Sequence, residues 1–188
     1  MPDDVRELVG RSLAGDQSAM AALVDRFRGQ VFGLCYRMLG HRQDAEDMAQ
    51  ESFVRALRSL ANYDTQREFM PWLLAIAGNR CRSLLSTRGR RAIATDELDK
   101  VADPAPDGQA ARNLAEEIEL ALRDLRPEYR QSFVLFHEQH MSYAEIAETL
   151  DCPVGTVKTW VHRARRELAD HLLRRGVVEE LPNALRRV

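Results

Sequence analysis

Cysteine is scarce in this sequence, and what there is stands apart. Cys35, Cys81 and Cys152 fall in separate stretches with no paired spacing. An odd, scattered set argues against a disulfide framework and a zinc site, and leaves the reading of small, buried apolar residues. Long hydrophobic runs are missing too. No apolar stretch approaches the roughly 18 to 20 residues needed to cross a bilayer. The opening "MPDDVRELVG" is acidic where a secretory leader is basic and then apolar. No membrane insertion and a cytoplasmic location are therefore expected. Period-two alternation of useful length is absent, which argues against β-sheet. There is no glycine-rich phosphate loop, and His41, His137, His140, His162 and His171 form neither a metal-spaced set nor a triad. No enzyme activity, metal or cofactor is expected.

A strong charge of one sign is lacking as well, the formal net charge being −2. The distribution is uneven. Arg80, Arg82, Arg88, Arg90 and Arg91 follow one another without an acid up to Thr95, and a dense acidic stretch runs from Asp96 to Glu119. Basic residues return from Lys158 to Arg175. Two basic patches separated by an acidic stretch suit a chain that touches a polyanion at two places.

What the sequence does carry is helical periodicity. Leu8, Leu13, Leu23, Phe27, Val31, Leu34 and Met38 recur at helical steps, with breaks at Gly15-Asp16 and Gly40-His41. "DAEDMAQESFVRALRSL" reads as a strong helix, and "FMPWLLAIAGNRCRSLLSTRGRR" as another that tolerates Pro71 only in its first turn. "DPAPDGQAA" reads as linker. Beyond it, "ARNLAEEIELALRDL" and "PEYRQSFVLFHEQH" are amphipathic, and Ser142 with Glu145 forms a capping box. The expectation is an all-α chain of two small helical domains joined by a flexible linker. The first spans 1–95, the acidic linker 96–118 and the second domain 119–175, with a tail at 176–188.

Within the second domain, Ser142 to Leu150 predicts a short helix with Ile146 and Leu150 inward, and Ala144 and Ala147 where a neighbouring helix approaches. Asp151-Cys152-Pro153 breaks it, and Pro153 suits the first position of the next helix. In "CPVGTVKTWVHRARREL", Val157, Val161, Ala164 and Leu168 share one face. The opposite face presents Lys158, Thr159, His162, Arg163 and Arg166, with Arg165 flanking. A two-helix unit of this kind fits a major-groove reader, its early residues reaching base edges and its later cations meeting phosphates.

"MSYAEIAETLDCPVGTVKTWVHRARREL" resembles the promoter −35-reading domain of bacterial extracytoplasmic-function (ECF) sigma factors, a helix-turn-helix of winged-helix-like, sigma region-4 type. "DAEDMAQESFVRAL" and "FMPWLLAIAGNRCRSLL" resemble the first domain of the same family, in the expected order, so that the likeness spans roughly Arg6 to Leu173. The resemblance implies a subunit that binds core RNA polymerase, directs it to promoter DNA and helps to open the −10 region, commonly restrained by an anti-sigma protein. By position, Asp47, Gln50 and Glu51 match the polymerase-docking surface, and their spacing places them on one polar face while Ala45, Met48 and Ala56 turn inward. "ANYDTQREF" matches the loop that captures an unstacked −10 base, with Tyr63, Asp64 and Arg67 as the groups to do it. Asn79, Arg80 and Arg82 match the surface facing −10 DNA, continued by Arg88, Arg90 and Arg91, while Phe69, Trp72, Leu73 and Ile76 match core positions.

Three positions depart from the family's common pattern: Ser83, Arg126 before Pro127, and Trp160 in the recognition helix. Trp160 lies either on the DNA backbone or in a hydrophobic contact with a partner. Two rival readings are a helix-turn-helix regulator acting without polymerase and a sigma-like decoy. The first is told apart by transcription with core enzyme; the second usually carries a receiver domain, of which the sequence has no sign.

Overall fold

The computed structural model describes residues 5–94 and 110–177, with side chains described over 5–89 and 114–177. Most of the expected linker and the tail therefore lie outside the described residues, as do the side chains of Arg90 and Arg91. Among the described residues every regular element is helical: α1 (Val5–Leu13), α2 (Gln17–Leu39), α3 (Arg42–Ser59), a short 3-10 turn (Leu60–Asn62), α4 (Phe69–Ala94), α5 (Ala110–Asp124), α6 (Pro127–His137), α7 (Tyr143–Leu150) and α8 (Val154–Arg174).

The breaks fall where the local chemistry places them. Asp16 caps α2 by accepting from the amides of Ser18 at 2.8 Å and Ala19 at 3.3 Å. Gly40 closes α2 with φ of 67°, and its amide donates to the Tyr36 carbonyl at 2.8 Å. Pro127 opens α6 at a position that needs no amide donor. The capping box at α7 is formed, with Glu145 accepting from the Ser142 amide at 2.7 Å and the Ser142 hydroxyl accepting from the Glu145 amide at 3.2 Å. Asp151, at φ 51° and ψ 55°, makes the left-handed turn between α7 and α8.

Four details differ from expectation. Helix α5 begins at Ala110, so the last part of the segment read as linker is helical. Pro153 caps α8 rather than occupying its first turn. Ala144 faces solvent, as does Leu13. The helix-turn-helix has no strand and hence no wing among the described residues.

The two halves are packed on each other. A hydrophobic cluster runs from Leu23, Leu34, Met38 and Leu74 of α2 and α4 into Val134, Leu135, Ile146, Leu150 and Val157 of α6, α7 and α8. A smaller cluster of Leu122, Leu125, Tyr129, Ala164 and Leu168 closes α5 and α6 on α8. At this seam α2 and α4 cover apolar surface of α6 and α7. Polar groups stitch the same seam. The buried Arg130 guanidinium donates to the Met38 carbonyl across it and to the carbonyls of Arg123 and Leu125 on its own side. Burial pulls this guanidinium down to about 10. Arg37 pairs with Glu119 at 3.1 Å and Glu138 at 2.9 Å. Gln131 is enclosed against Gly78 so tightly that a Cβ there would sit 1.8 Å from its Nε2.

Candidate nucleic-acid interface

Helix α8 keeps its expected phase. Val157, Val161 and Ala164 are fully enclosed and Leu168 nearly so, which turns Thr159, His162, Arg163 and Arg166 to solvent. His162 and Arg166 make no hydrogen bond or ion pair within the described residues, while the Thr159 hydroxyl donates back to the Gly155 carbonyl at 2.9 Å. The remaining cations are propped on neutral groups. Arg163 donates to the Tyr129 hydroxyl at 2.8 Å and lies over its ring. Arg165 donates from Nε to His137 Nε2 at 3.0 Å and lies 5.2 Å from the centre of the Phe136 ring. Lys158 stands over Tyr143. None of these contacts removes charge. An acceptor role at Nε2 requires His137 to be neutral. Partial burial and then the adjacent Arg165 lower its pKa accordingly.

Trp160 is half-buried in the seam between the two hydrophobic clusters. The ring takes neither of the two expected roles here, and packs instead within its own chain.

In the other half, the loop between Asn62 and Phe69 is held by an aromatic knot. Tyr63, Phe69 and Trp72 pack with ring centres 5.0 to 5.5 Å apart, and the Tyr63 hydroxyl donates to the Arg67 carbonyl at 2.5 Å. Tyr63 is only 9% exposed, so in this conformation it shapes the loop, and the exposed groups are Asp64 and Arg67. Asp64 accepts from the Gln66 amide at 3.0 Å. Arg67 reaches Asp64 at 3.5 Å and, across the seam, Glu148 of α7 at 2.8 Å. A cleft of about 460 Å³ opens beside the loop, lined in part by Arg6, Arg26, Phe27 and Met70.

On α4, Asn79 is exposed and accepts from Arg82. Arg80 places Nη2 2.9 and 3.0 Å from the two carboxylate oxygens of Glu51. Arg88 grips Asp44 with two bonds of 2.7 Å. The hydrogen bond from Arg88 holds the Asp44 carboxyl below its ordinary value. Burial pushes the Glu51 carboxyl up, but the bonds from Arg55 and Arg80 outweigh it and leave it below the usual carboxylate range. Asp47 and Gln50 are exposed on the same face of α3, and Asp47 accepts from Gln43 at 3.3 Å. Glu51 of α3 and Arg80 of α4 thus meet along one groove of about 580 Å³, which Arg55, Arg58 and Asn79 also help to line.

Sequence reasoning did not find Asp44, Glu148, Tyr129 or His137 in these roles. Their partners are distant in sequence, so no local spacing marks them. Among the described residues no group of His, Cys, Asp and Glu is arranged to hold a metal ion, and no helix is long and apolar enough to cross a membrane.

Residues 23–91 match the Sigma-70 region 2 family and residues 115–168 the Sigma-70 region 4 family. The chain is 33% identical over 180 residues to the ECF RNA polymerase sigma factor SigW of Bacillus subtilis, covering 89% of this chain and 96% of that protein. It is 33% identical over 177 residues to the ECF RNA polymerase sigma-E factor of Haemophilus influenzae, covering 88% of this chain and 93% of that protein. Among solved structures, CnrH in complex with the cytosolic domain of CnrY is similar at TM-score 0.67 and 28% identity, over 90% of this chain and 97% of that one. Two region matches in order, with relatives matched nearly end to end, decide the question: the chain belongs to the ECF RNA polymerase sigma factors.

Proposed function

We propose that this chain recruits core RNA polymerase through Asp47, Gln50 and Glu51 of α3 and grips promoter DNA at two places. The −35 duplex meets Lys158, Thr159, His162, Arg163, Arg165 and Arg166 of α8. The −10 strand meets Asp64 and Arg67 of the loop that Tyr63 shapes, and Asn79, Arg80, Arg82 and Arg88 of α4. The observation that carries this reading is the solvent arc of α8, on which His162 and Arg166 have no partner among the described residues and Arg163 is oriented without losing its charge. Such an arc, on a second helix set by a tight turn, suits a major groove.

Melting then needs no nucleotide hydrolysis. A surface that binds unstacked −10 bases and not the duplex shifts the opening equilibrium by its differential affinity. The cleft beside Tyr63 is roomy enough for a base, with Arg67 at its rim for a phosphate. The two elements lie about 25 base steps apart, about 85 Å at 3.4 Å per step. A compact globule of this length has a radius of gyration of only about 16 Å. Function therefore requires the two halves to separate on DNA. The chain acts in the cytoplasm, where its polymerase and template are. An anti-sigma protein is its expected regulator.

Run-off transcription with core polymerase and this protein tests the reading. Start-specific transcripts that depend on the protein support it. Promoter binding without polymerase, and no transcripts with it, would favour a conventional helix-turn-helix regulator instead.

A further inference from the structure

We propose that α3 holds the α4 arginines in reserve: Glu51 occupies Arg80 and Asp44 occupies Arg88, and a cationic polymerase surface that takes these carboxylates frees the arginines for the −10 strand. The proposal rests on the reading of α4 as the −10 surface. It starts from a geometric coincidence. Two residues expected to meet DNA, Arg80 and Arg88, are each held by a carboxylate of the helix expected to dock on polymerase.

Charge arithmetic makes the pairing consequential. An arginine closed on a carboxylate presents almost no net charge, and a phosphate approaching it meets a like-charged neighbour. The pairs are nonetheless easily exchanged. Arg88 is half-exposed and Glu51 a third exposed, and exposed ion pairs are weakly held. Exchange can also proceed without rearranging the backbone. Glu51 adjoins Gln50 and Asp47 on the outer face of α3, and the groove that holds Glu51 also holds Asn79 and Arg80. A partner seated on that face reaches the carboxylate from one side while the arginine turns to the other. By linkage, DNA on the arginines tightens the polymerase contact by the same factor.

The test uses the full chain without polymerase and a fluorescent single strand carrying a mapped −10 element, at low salt. Asp44→Asn is compared with Glu46→Gln, which makes the same charge change on a residue that, among the described residues, pairs with Arg42 of its own helix, at 2.9 Å. Asp44→Asn is expected to tighten strand binding about three- to fivefold, the share of one exposed ion pair, while Glu46→Gln changes it less than about 1.5-fold. Adding Arg88→Ala should abolish the gain, and raising the salt should shrink it. Equal effects of the two neutralisations, or a gain that survives Arg88→Ala, would overturn the proposal. If Arg80→Ala and Arg88→Ala leave −10 binding by the holoenzyme unchanged, the −10 reading fails and the reserve with it. If they weaken that binding while Asp44→Asn leaves the free protein unchanged, only the reserve fails.

Discussion

The two basic surfaces of this sigma factor are built from the same residue types and treated in opposite ways. On α8 the cations rest on neutral groups: Arg163 on Tyr129, Arg165 on His137 and Phe136, and Lys158 on Tyr143. On α4 two of them rest on acids, Arg80 on Glu51 and Arg88 on Asp44, while Arg82 rests on Asn79. A neutral prop orients a charge and leaves it available, whereas a carboxylate cancels it. The comparison teaches that orientation and neutralisation are separable, and that a near-neutral protein can keep one basic surface ready and the other closed.

The largest expected effect comes from breaking the seam that joins the two surfaces. Arg130→Met leaves the carbonyls of Met38, Arg123 and Leu125 without this donor and is expected to cost about 3 kcal/mol in urea unfolding. Next, Arg163→Ala with Arg166→Ala should lower −35-dependent run-off transcription about tenfold or more while leaving helicity unchanged, since neither side chain is buried. Tyr129→Phe, which keeps the ring and removes the prop's hydroxyl, should weaken −35 duplex binding only about threefold, the cost of leaving one long side chain unfixed.

The smallest effect separates the two kinds of prop by pH. His137 has a folded pKa below its ordinary 6.5, so its neutral form contributes stability fully above that value, and the contribution is lost as pH falls below it. Asp44 also has a lowered pKa, but its ordinary value is 3.8, so its pair with Arg88 persists until the pH falls through that more acidic window. Unfolding measured from pH 7 to 5 should therefore show a shallow loss that His137→Gln removes and Asp44→Asn does not.

Much of this was legible in the sequence because it was local. The capping box at Ser142 and Glu145, the phase of α8 and the first-turn placement of Pro71 each follow from a few adjacent residues. The pairing of α3 acids with α4 cations was not legible, because Asp44 and Arg88 stand 44 residues apart and helical spacing predicts only that each is polar and outward. The burial of Tyr63 was hidden for the same reason. A tyrosine in a polar loop reads as exposed until the aromatic rings of Phe69 and Trp72 close on it. Trp160, unplaceable from its own helix, is explained by the seam with the other half of the molecule.

The central contrast is tested most directly by fluorescence anisotropy of a −10 single strand, with free protein and with holoenzyme, each as wild type and as Arg80→Ala with Arg88→Ala. The expected result is a loss of less than about twofold in the free protein, where carboxylates already occupy the arginines, and of at least about fivefold in the holoenzyme. An equal loss in both would mean that the α4 arginines are as available as those of α8, and would contradict the distinction drawn between the two surfaces.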